Sequence, residues 1–247
     1  MRSTFDGGLF DGRSVLVVGA TSGIGEACAA AFGNLGASVL GTGATGLECD
    51  KARLRSSHSN IRFDVLDIRD PAAVDALVRN LQQIDVVINA AGIIRRDDEH
   101  SPEVFDHVID INLNGAMRVC AAAHLKLSKS AGSIINIASM LSFFGSGRAP
   151  AYSASKGGIS QLTKSLAVAW AGEGIRVNAV APGWIATPLT QALQDDPIRN
   201  TPLMARTPMG RWGTPGEVAD CVTFLASPAA RYVTGSVLIV DGGYLIA

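Results

Sequence analysis

The sequence lacks the features that mark several classes of protein. Its 247 residues carry a formal net charge of -1 at pH 7. They contain no block of about five or six like charges, so electrostatics give no support for binding to nucleic acid or to a membrane surface. No apolar run approaches the roughly 20 residues of a membrane-spanning helix, and the apolar run near the N-terminus is too short for a secretory signal. The sequence therefore predicts no nucleic-acid partner and no membrane.

Clustered metal ligands and paired thiols are also missing. The four cysteines, Cys28, Cys49, Cys120 and Cys221, form no C-x-x-C pair, and the four histidines show no H-E-x-x-H spacing. We therefore expect neither a metal site nor a redox dithiol. Unpaired thiols are typical of a reducing compartment, so the expected location is cytoplasmic.

Short apolar runs that alternate with helix-like segments are what the sequence has in abundance. Seven runs occur: SVLVVGA (14 to 20), ASVLGTG (37 to 43), IRFDV (61 to 65), IDVVINAAG (84 to 92), SIINIAS (133 to 139), IRVNAVAPG (175 to 183) and SVLIVDGG (236 to 243). Continuous apolarity predicts strands that are buried on both faces. The expected α/β fold is a single Rossmann-type, doubly wound parallel sheet of about seven strands with helices on both faces, spanning residues 1–247 as one domain.

Two connections between the predicted strands are unusual. Residues 44 to 60 are few for a full helix with two turns, so a reduced helix or an irregular crossover is expected there. Residues 184–213 form a long, proline-containing segment. A segment of this kind in a compact domain is typically a lid or a substrate-binding flap.

A glycine-rich turn follows the first predicted strand. Gly19, Gly23 and Gly25 precede an alanine-rich helix, an arrangement that lets the backbone and the helix N-terminus approach a pyrophosphate. Tight turns need glycine as well, but the position between strand and helix favours a dinucleotide site.

The nucleotide preference stays open. The second strand ends in Thr42-Gly43-Ala44-Thr45 without a carboxylate for the ribose, and neither Ser22 nor Ala44 is a cation that would meet a 2′-phosphate. Lys51 and Arg53 fit either a fold-back onto a phosphate or a solvated loop. Both NAD and NADP remain candidates.

A tyrosine and a lysine at helical spacing form the chemical centre of the predicted site. Tyr152 and Lys156 share one helix face. Ser139 ends the fifth strand, and ligands bind beyond the carboxyl ends of parallel strands, so its hydroxyl should meet that of Tyr152 over one substrate oxygen. A phenol can exchange a proton with that oxygen while hydride moves, if its pKa falls from about 10 toward 7 beside the lysine cation.

Six motifs in order, GATSGIG, NAAG, DINLNG, Ser139, YSASK and PGWIATP, resemble the short-chain dehydrogenase/reductase family over essentially the whole chain. The resemblance implies a catalytic tetrad of Asn112, Ser139, Tyr152 and Lys156, with Asn112 holding a water that links the lysine to solvent. It also implies a homotetramer. The predicted cofactor-binding residues are Gly19, Thr21, Ser22, Gly23, Ile24, Gly25, Gly43, Asp64, Val65, Asn89, Ala90, Ala91, Gly92, Tyr152, Lys156, Pro182, Gly183, Ile185 and Thr187.

Within that family, the stretches AGIIRR, INIASMLSFFG and GRWG are similar to sugar-acid dehydrogenases (2-dehydro-3-deoxy-gluconate and gluconate 5-dehydrogenases). A small-molecule carbonyl or alcohol is the expected partner. An arginine fork suits a carboxylate, so Arg95, Arg96 and Arg148 are candidates for binding it, although RRDDEH also fits a solvated loop. The predicted substrate-binding residues are Arg95, Met140, Arg148 and Trp184.

Two alternatives remain. GTGAT after the second strand, with an apolar flap around Leu189, Leu193 and Leu203, resembles the 3-oxoacyl-thioester reductases. A non-catalytic dinucleotide-sensing protein on the same fold is an alternative of another class, since fold alone does not establish activity. The sequence indicates neither the physiological substrate nor the direction of the reaction.

Overall fold

Seven strands form one parallel sheet at the centre of the molecule. The structure, a computed structural model, describes residues 5–247, so the first four residues of the predicted domain lie outside it. The strands are Ser14–Val18 (β1), Ser38–Gly43 (β2), Ile61–Val65 (β3), Val86–Asn89 (β4), Ser133–Ile137 (β5), Arg176–Pro182 (β6) and Val237–Val240 (β7). Their order is β3-β2-β1-β4-β5-β6-β7, and every neighbouring pair is parallel.

Helices cover both faces of the sheet. They are Gly23–Asn34 (α1), Gly46–Arg55 (α2), Pro71–Asn80 (α3), Pro102–Ile109 (α4), Ala116–Ser130 (α5), Pro150–Trp170 (α6), Gln191–Gln194 (α7), Pro197–Arg206 (α8) and Pro215–Ala226 (α9). Among the described residues, no helix combines the length and the apolarity that crossing a membrane requires.

The alternation of side chains along each strand divides the core into two layers. Val15 and Val17 of β1 pack with residues of α1 and α9, such as Phe32, whereas Leu16 and Val18 pack with residues of α3 and α5 on the opposite face. Both sets are almost completely buried. This two-sided burial is the reason for the continuous apolarity of central strands such as β1 and β4. The predicted doubly wound α/β sheet is confirmed.

The strand order reverses beside β1, which pairs with β2 on one side and with β4 on the other. At such a switch point the connections leave in opposite directions and open a crevice beyond the carboxyl ends of the strands. The fold therefore places the turn after Val18 and the segments after Gly43 and Asn89 around one crevice.

The two unusual connections are more regular than the sequence suggests. The reduced helix or irregular crossover expected between β2 and β3 is wrong: α2 is a full helix of ten residues. It fits because Thr45, two residues after β2, already caps it. The predicted flap at residues 184–213 contains α7 and α8, and a bridge between Ile185 and Gly213 joins its two ends.

Candidate active site

Tyr152 and Lys156 lie one turn apart on α6 and face the end of β5. Lys156 is 4% exposed; its Nζ donates a hydrogen bond to the Ile137 carbonyl (2.6 Å) and lies 5.5 Å from the centre of the Tyr152 ring. The buried Ser139 hydroxyl, two residues after β5, is a hydrogen-bond partner of the phenol. The structure thus brings the predicted phenol, ammonium and hydroxyl together.

Asn112 lies in a π-helical turn, Asp110–Gly115, which joins α4 to α5. Its Oδ1 accepts a hydrogen bond from the Ile93 amide (2.8 Å), and its Nδ2 donates to the Ile93 carbonyl (2.9 Å) and to Ser155 Oγ (3.1 Å). Such π turns occur frequently at functional sites. Asn112 therefore fastens the segment after β4 to the helix that carries Tyr152.

Gly92 leaves a small space between Asn112 and Lys156. A Cβ atom at this position would lie 3.4 Å from Asn112 Oδ1 and 3.6 Å from Lys156 Nζ. The amide oxygen and the ammonium thus border the same space. Whether Asn112 holds a water there stays a prediction.

Glu99 is a buried carboxylate that the sequence analysis missed. It is 1% exposed, and its two oxygens accept hydrogen bonds from the backbone amides of Arg95 (2.7 Å) and Tyr152 (2.8 Å). The N-cap residue of α6, Ala149, has no side chain that can cap, so Glu99 supplies the cap from another segment. The absence of a capping residue before Pro150 was the available sequence signal.

Burial is the largest influence on the pKa values of both Tyr152 and Lys156. It raises the pKa of Tyr152, and the Ser139 hydrogen bond and the Arg96 guanidinium act in the opposite direction without cancelling it, while Glu99 adds to the rise. Burial also lowers the pKa of Lys156 to about 8. The expected fall of the phenol pKa toward 7 is therefore not found, because removing the phenolate from water outweighs its favourable contacts.

Replacing Glu99 by glutamine is expected to change the pH dependence of turnover. The Glu99 carboxylate raises the pKa of Tyr152, so a neutral side chain at this position should lower that pKa. The rate of alcohol oxidation, which increases as the phenol ionises, should then begin to increase at a lower pH. Glutamine has one acceptor oxygen for two buried amides, so the free energy of unfolding should also fall by about 1–3 kcal/mol. The measurements are a pH profile of kcat/KM and a denaturant titration.

The neighbouring Asp98→Asn variant is the control, because Asp98 is exposed and its side chain contacts neither amide. A Glu99→Gln protein with an unshifted pH profile would show that Glu99 only caps the helix and that its charge does not act on the phenol.

A cleft of about 540 Å³ opens at the switch point, between the glycine-rich turn and the pair Tyr152 and Lys156. Gly19 has a φ of +81°, and a Cβ there would lie 2.5 Å from the Ala91 amide nitrogen, so only glycine fits. The N-cap of α1, Ser22, places no side-chain oxygen on the first-turn amides. Those amides and the glycine cradle fit the pyrophosphate of a dinucleotide.

Most of the predicted cofactor residues line this cleft, namely Gly19, Thr21, Ser22, Gly23, Ile24, Gly25, Gly43, Ala90, Ala91, Gly92, Tyr152, Lys156 and Thr187. Asp64 and Val65 end β3 without lining it, because the chain turns toward the cleft one residue later, at 66–69. Asn89 is also not among the lining residues; its buried Nδ2 donates to Asn136 Oδ1 (2.9 Å) in the sheet. Asn89 therefore joins β4 to β5 beneath the cleft and does not line it.

A second cavity, of about 260 Å³, adjoins the first at Tyr152 and contains Ser139. It has aromatic walls from Phe144 and Tyr244. The remaining predicted cofactor residues and two of the predicted substrate residues line it, namely Pro182, Gly183, Ile185, Met140 and Trp184. Its position beside the hydroxyl pair suits a small substrate.

The three candidate arginines occupy different places. Arg95 lines the first cleft and not the second cavity. Arg148 lines neither and pairs at the surface with Asp97, Nε to Oδ1 at 2.7 Å. Arg96 lines the second cavity together with Ser139 and Tyr152. The structure therefore favours Arg96 over Arg95 and Arg148 as the arginine beside a substrate.

Comparison with known proteins agrees with this geometry. A family model described as enoyl-(acyl carrier protein) reductase matches residues 19–245. The 2-dehydro-3-deoxy-D-gluconate 5-dehydrogenase of Bacillus subtilis (strain 168) is 40% identical over 242 residues, covering 95% of each chain. The 3-oxoacyl-[acyl-carrier-protein] reductase of Escherichia coli (strain K12) is 36% identical over 241 residues, covering 95% of this chain and 98% of that one.

Solved structures show the same relationship. A protein of Agrobacterium tumefaciens described as a candidate 2-deoxy-D-gluconate 3-dehydrogenase, with bound NADP, is 38% identical with a TM-score of 0.89, covering 98% of this chain and 100% of that chain. A structure described as a short chain dehydrogenase/reductase family protein is 34% identical with a TM-score of 0.87, covering 96% of this chain and 99% of that chain. The chain therefore belongs to the short-chain dehydrogenase/reductase family and is an NAD(P)-dependent oxidoreductase of alcohols and ketones.

Proposed function

We propose that the chain is a sugar-acid dehydrogenase that interconverts a secondary alcohol and a ketone on a small hydroxy acid. Arg96 carries the proposal. Its guanidinium is half-buried, forms no ion pair or hydrogen bond with residues 5–247, and is the one permanently charged group among the residues lining the second cavity. Burial without a partner lowers its pKa. A substrate carboxylate would supply the missing partner through a bidentate contact.

The names of relatives support the same substrate class. The Bacillus subtilis relative acts, by its name, on 2-dehydro-3-deoxy-D-gluconate, which is a sugar acid. The cavity also suits a small polar molecule, since its volume is about 260 Å³ and Ser139 and Tyr152 line it together with Arg96.

The proposed roles follow from the contacts of each side chain. Tyr152 exchanges the proton at the substrate oxygen, and Ser139 donates a hydrogen bond to that oxygen as negative charge develops there. Lys156, held by the Ile137 carbonyl, places its amino group 5.5 Å from the centre of the Tyr152 ring, and its protonated form favours the ionised phenol. Asn112 holds the segment after β4 against α6. A nicotinamide bound in the first cleft would take hydride from the carbinol carbon of the alcohol or give it to the carbonyl carbon of the ketone.

The runner-up, a 3-oxoacyl-thioester reductase, has less support from the cavity. Of the three leucines expected to hold an acyl chain, Leu189 lines the second cavity but Leu193 and Leu203 do not. Aromatic rings form part of the wall of the second cavity. Those of Trp184 and Tyr244 pack edge to face, with their centres 6.0 Å apart.

A substrate panel tests the proposal. We expect the nicotinamide absorbance band to change with sugar acids, and more slowly with the corresponding polyols and with 3-oxoacyl thioesters. Faster turnover of the thioesters would favour the runner-up. Tight dinucleotide binding without turnover of any compound would contradict the proposal and favour a sensor.

We also propose that residues 1–247 form one NAD(P)-binding domain in which the segment 184–213 acts as the substrate flap. A homotetramer in the cytoplasm is the proposed state. Exposed apolar side chains on α5, α6 and β7 support the assembly, for example Leu125 (71% exposed), Val168 (84%) and Ile239 (40%). Unpaired cysteines at all four positions support a reducing compartment. Light scattering should give four times the 25.6 kDa mass of one chain.

A further inference from the structure

A carboxylate occupies the end of β2 although the strand itself supplies none. Glu48, in the first turn of α2, folds back so that its Oε2 accepts hydrogen bonds from the backbone amides of Ala44 (3.0 Å) and Thr45 (3.2 Å). The Thr45 hydroxyl accepts from the Glu48 amide (3.3 Å) and completes a capping box. The carboxylate therefore lies where the sequence of the strand end shows only small neutral residues.

The start of α2 is firmly held, which fixes the position of this carboxylate. Cys49 and Ala52 are buried against the sheet, and Cys49 Sγ donates to the Asp64 carbonyl (3.3 Å) at the end of β3. Glu48 is exposed on the other side of the helix and lines the 540 Å³ cleft together with Ala44 and Thr45.

This part of the cleft is where Rossmann-type folds meet the adenosine ribose. A ribose 2′-hydroxyl can donate a hydrogen bond to a carboxylate at this place. A 2′-phosphate carries a charge of about -1.5 to -2 and needs hydrogen-bond donors. The Glu48 carboxylate repels that charge and already occupies two of the donors. The amides of Ala44 and Thr45 already bind a carboxylate that belongs to the chain.

Among the described residues, two arginines line the cleft: Arg95, which follows β4, and Arg69, which follows β3. On the β2 and β3 side, Arg69 and Arg55 are already bound to partners. Arg69 binds Asp67, with Nε to Oδ1 at 2.9 Å and Nη2 to Oδ2 at 2.6 Å. Arg55 binds Glu26 (2.8 Å) and the Thr21 carbonyl (2.7 Å).

The two cations considered in the sequence analysis do not serve a phosphate either. Arg53 binds Asp50 and the Phe63 carbonyl, and Lys51 is not among the residues that line the cleft. Ser22, in the glycine-rich turn, adds no charge. Within residues 5–247, Glu48 has no ion-pair partner.

We infer that Glu48 makes this cleft selective for NAD(H) over NADP(H), an inference that rests on the proposed function for the identity of the cleft. The carboxylate accepts from the unmodified ribose and excludes the 2′-phosphate by charge and by occupying its donors. Two of the similar structures contain NADP, so the fold itself accepts NADP, and the preference inferred here is assigned to the α2 cap of this chain.

Direct binding measurements test the inference without a substrate. We expect NADH to quench the tryptophan fluorescence of the protein with a dissociation constant at least about tenfold below that of NADPH. ADP-ribose and its 2′-phosphate, measured by calorimetry, should show the same order because they share the ribose but lack the nicotinamide.

Variants of Glu48 distinguish the effect of its charge from the effect of the two amides that it binds. Glu48→Gln should bring the ratio of the NADPH and NADH dissociation constants to within about threefold of one, because the charge is lost and the acceptor remains. Glu48→Ala also releases the two amides and should favour NADPH further. Asp75→Asn, an equal charge change at an exposed residue of α3 that does not line the cleft, should leave the ratio unchanged.

Each contrary result has a distinct meaning. Equal or tighter binding of NADPH by the unaltered protein, or a ratio that Glu48→Gln leaves unchanged, overturns the inference alone. Binding of neither dinucleotide overturns both the inference and the proposed function. A clear preference for NADH without turnover of sugar acids supports the inference and contradicts the proposed function.

Discussion

Tyr152→Phe protein is expected to turn over its substrate about a hundred to ten thousand times more slowly than the unaltered enzyme, because it lacks the group that exchanges the proton. The side chain keeps its ring, so its packing above the Lys156 ammonium remains. Dinucleotide affinity should therefore change by no more than about threefold, less than one hydrogen bond contributes. Steady-state kinetics and fluorescence quenching measure the two quantities.

Tyr232→Phe is the matched control, since Tyr232 is fully exposed (102%) and lines neither cavity. It should have unchanged kinetics. Full turnover by Tyr152→Phe would remove the phenol from the mechanism. A loss of dinucleotide affinity that accounts for the whole effect would assign Tyr152 to binding alone.

Arg96→Gln protein is expected to lose about ten- to a hundredfold in kcat/KM for a sugar acid, because a charge-assisted hydrogen bond contributes about 1.5–3 kcal/mol. This loss of kcat/KM should occur only with substrates that carry a carboxylate. For the corresponding neutral polyol, kcat/KM should stay within about threefold, since no ionic contact with the substrate is removed and only the influence of Arg96 on the Tyr152 pKa is lost. With a sugar acid, the kcat/KM of Arg96→Lys should lie between those of the unaltered enzyme and Arg96→Gln, because lysine keeps the charge but lacks the two-pronged guanidinium geometry.

Arg148→Gln tests whether any nearby guanidinium has the same effect. Arg148 is exposed and paired with Asp97, so its replacement should leave both substrates unaffected. Equal losses on the acid and the polyol in Arg96→Gln would show that Arg96 shapes the cavity without binding the carboxylate.

The strands and the central pair could be predicted because their signals are local. The central strands β1 and β4 are almost entirely apolar, and the burial of Leu16 and Val17 on opposite faces explains why. Tyr152 and Lys156 are adjacent on a helix, so their spacing alone places them together. Ser139 followed from its place at the end of the fifth strand, and the resemblance to a known family supplied Asn112.

The two carboxylates could not be placed from the sequence by the same reasoning. Glu99 binds the amide of Tyr152 across 53 positions, a contact that depends on the packing of the loop after β4 against α6. Glu48 was overlooked because the connection after β2 was expected to be irregular. The pattern Thr45-x-x-Glu48 is a capping-box signature and was the available signal.

Neighbouring arginines show a different limit. Arg95 and Arg96 are adjacent in a loop, and nothing in their order tells which one faces the substrate. In the structure the first lines the cofactor cleft and the second lines the cavity with Ser139. Side-chain direction in a loop is set by its tertiary contacts, here the Glu99 bond to the Arg95 amide.

A single-turnover experiment tests the central role of Tyr152 most directly. The enzyme is first saturated with oxidised dinucleotide and then mixed with a sugar acid, and the nicotinamide band is followed through one turnover, before any product leaves. We predict that hydride transfer in Tyr152→Phe is slower by about a hundredfold or more. Equal rates in the two proteins would contradict the proposed mechanism.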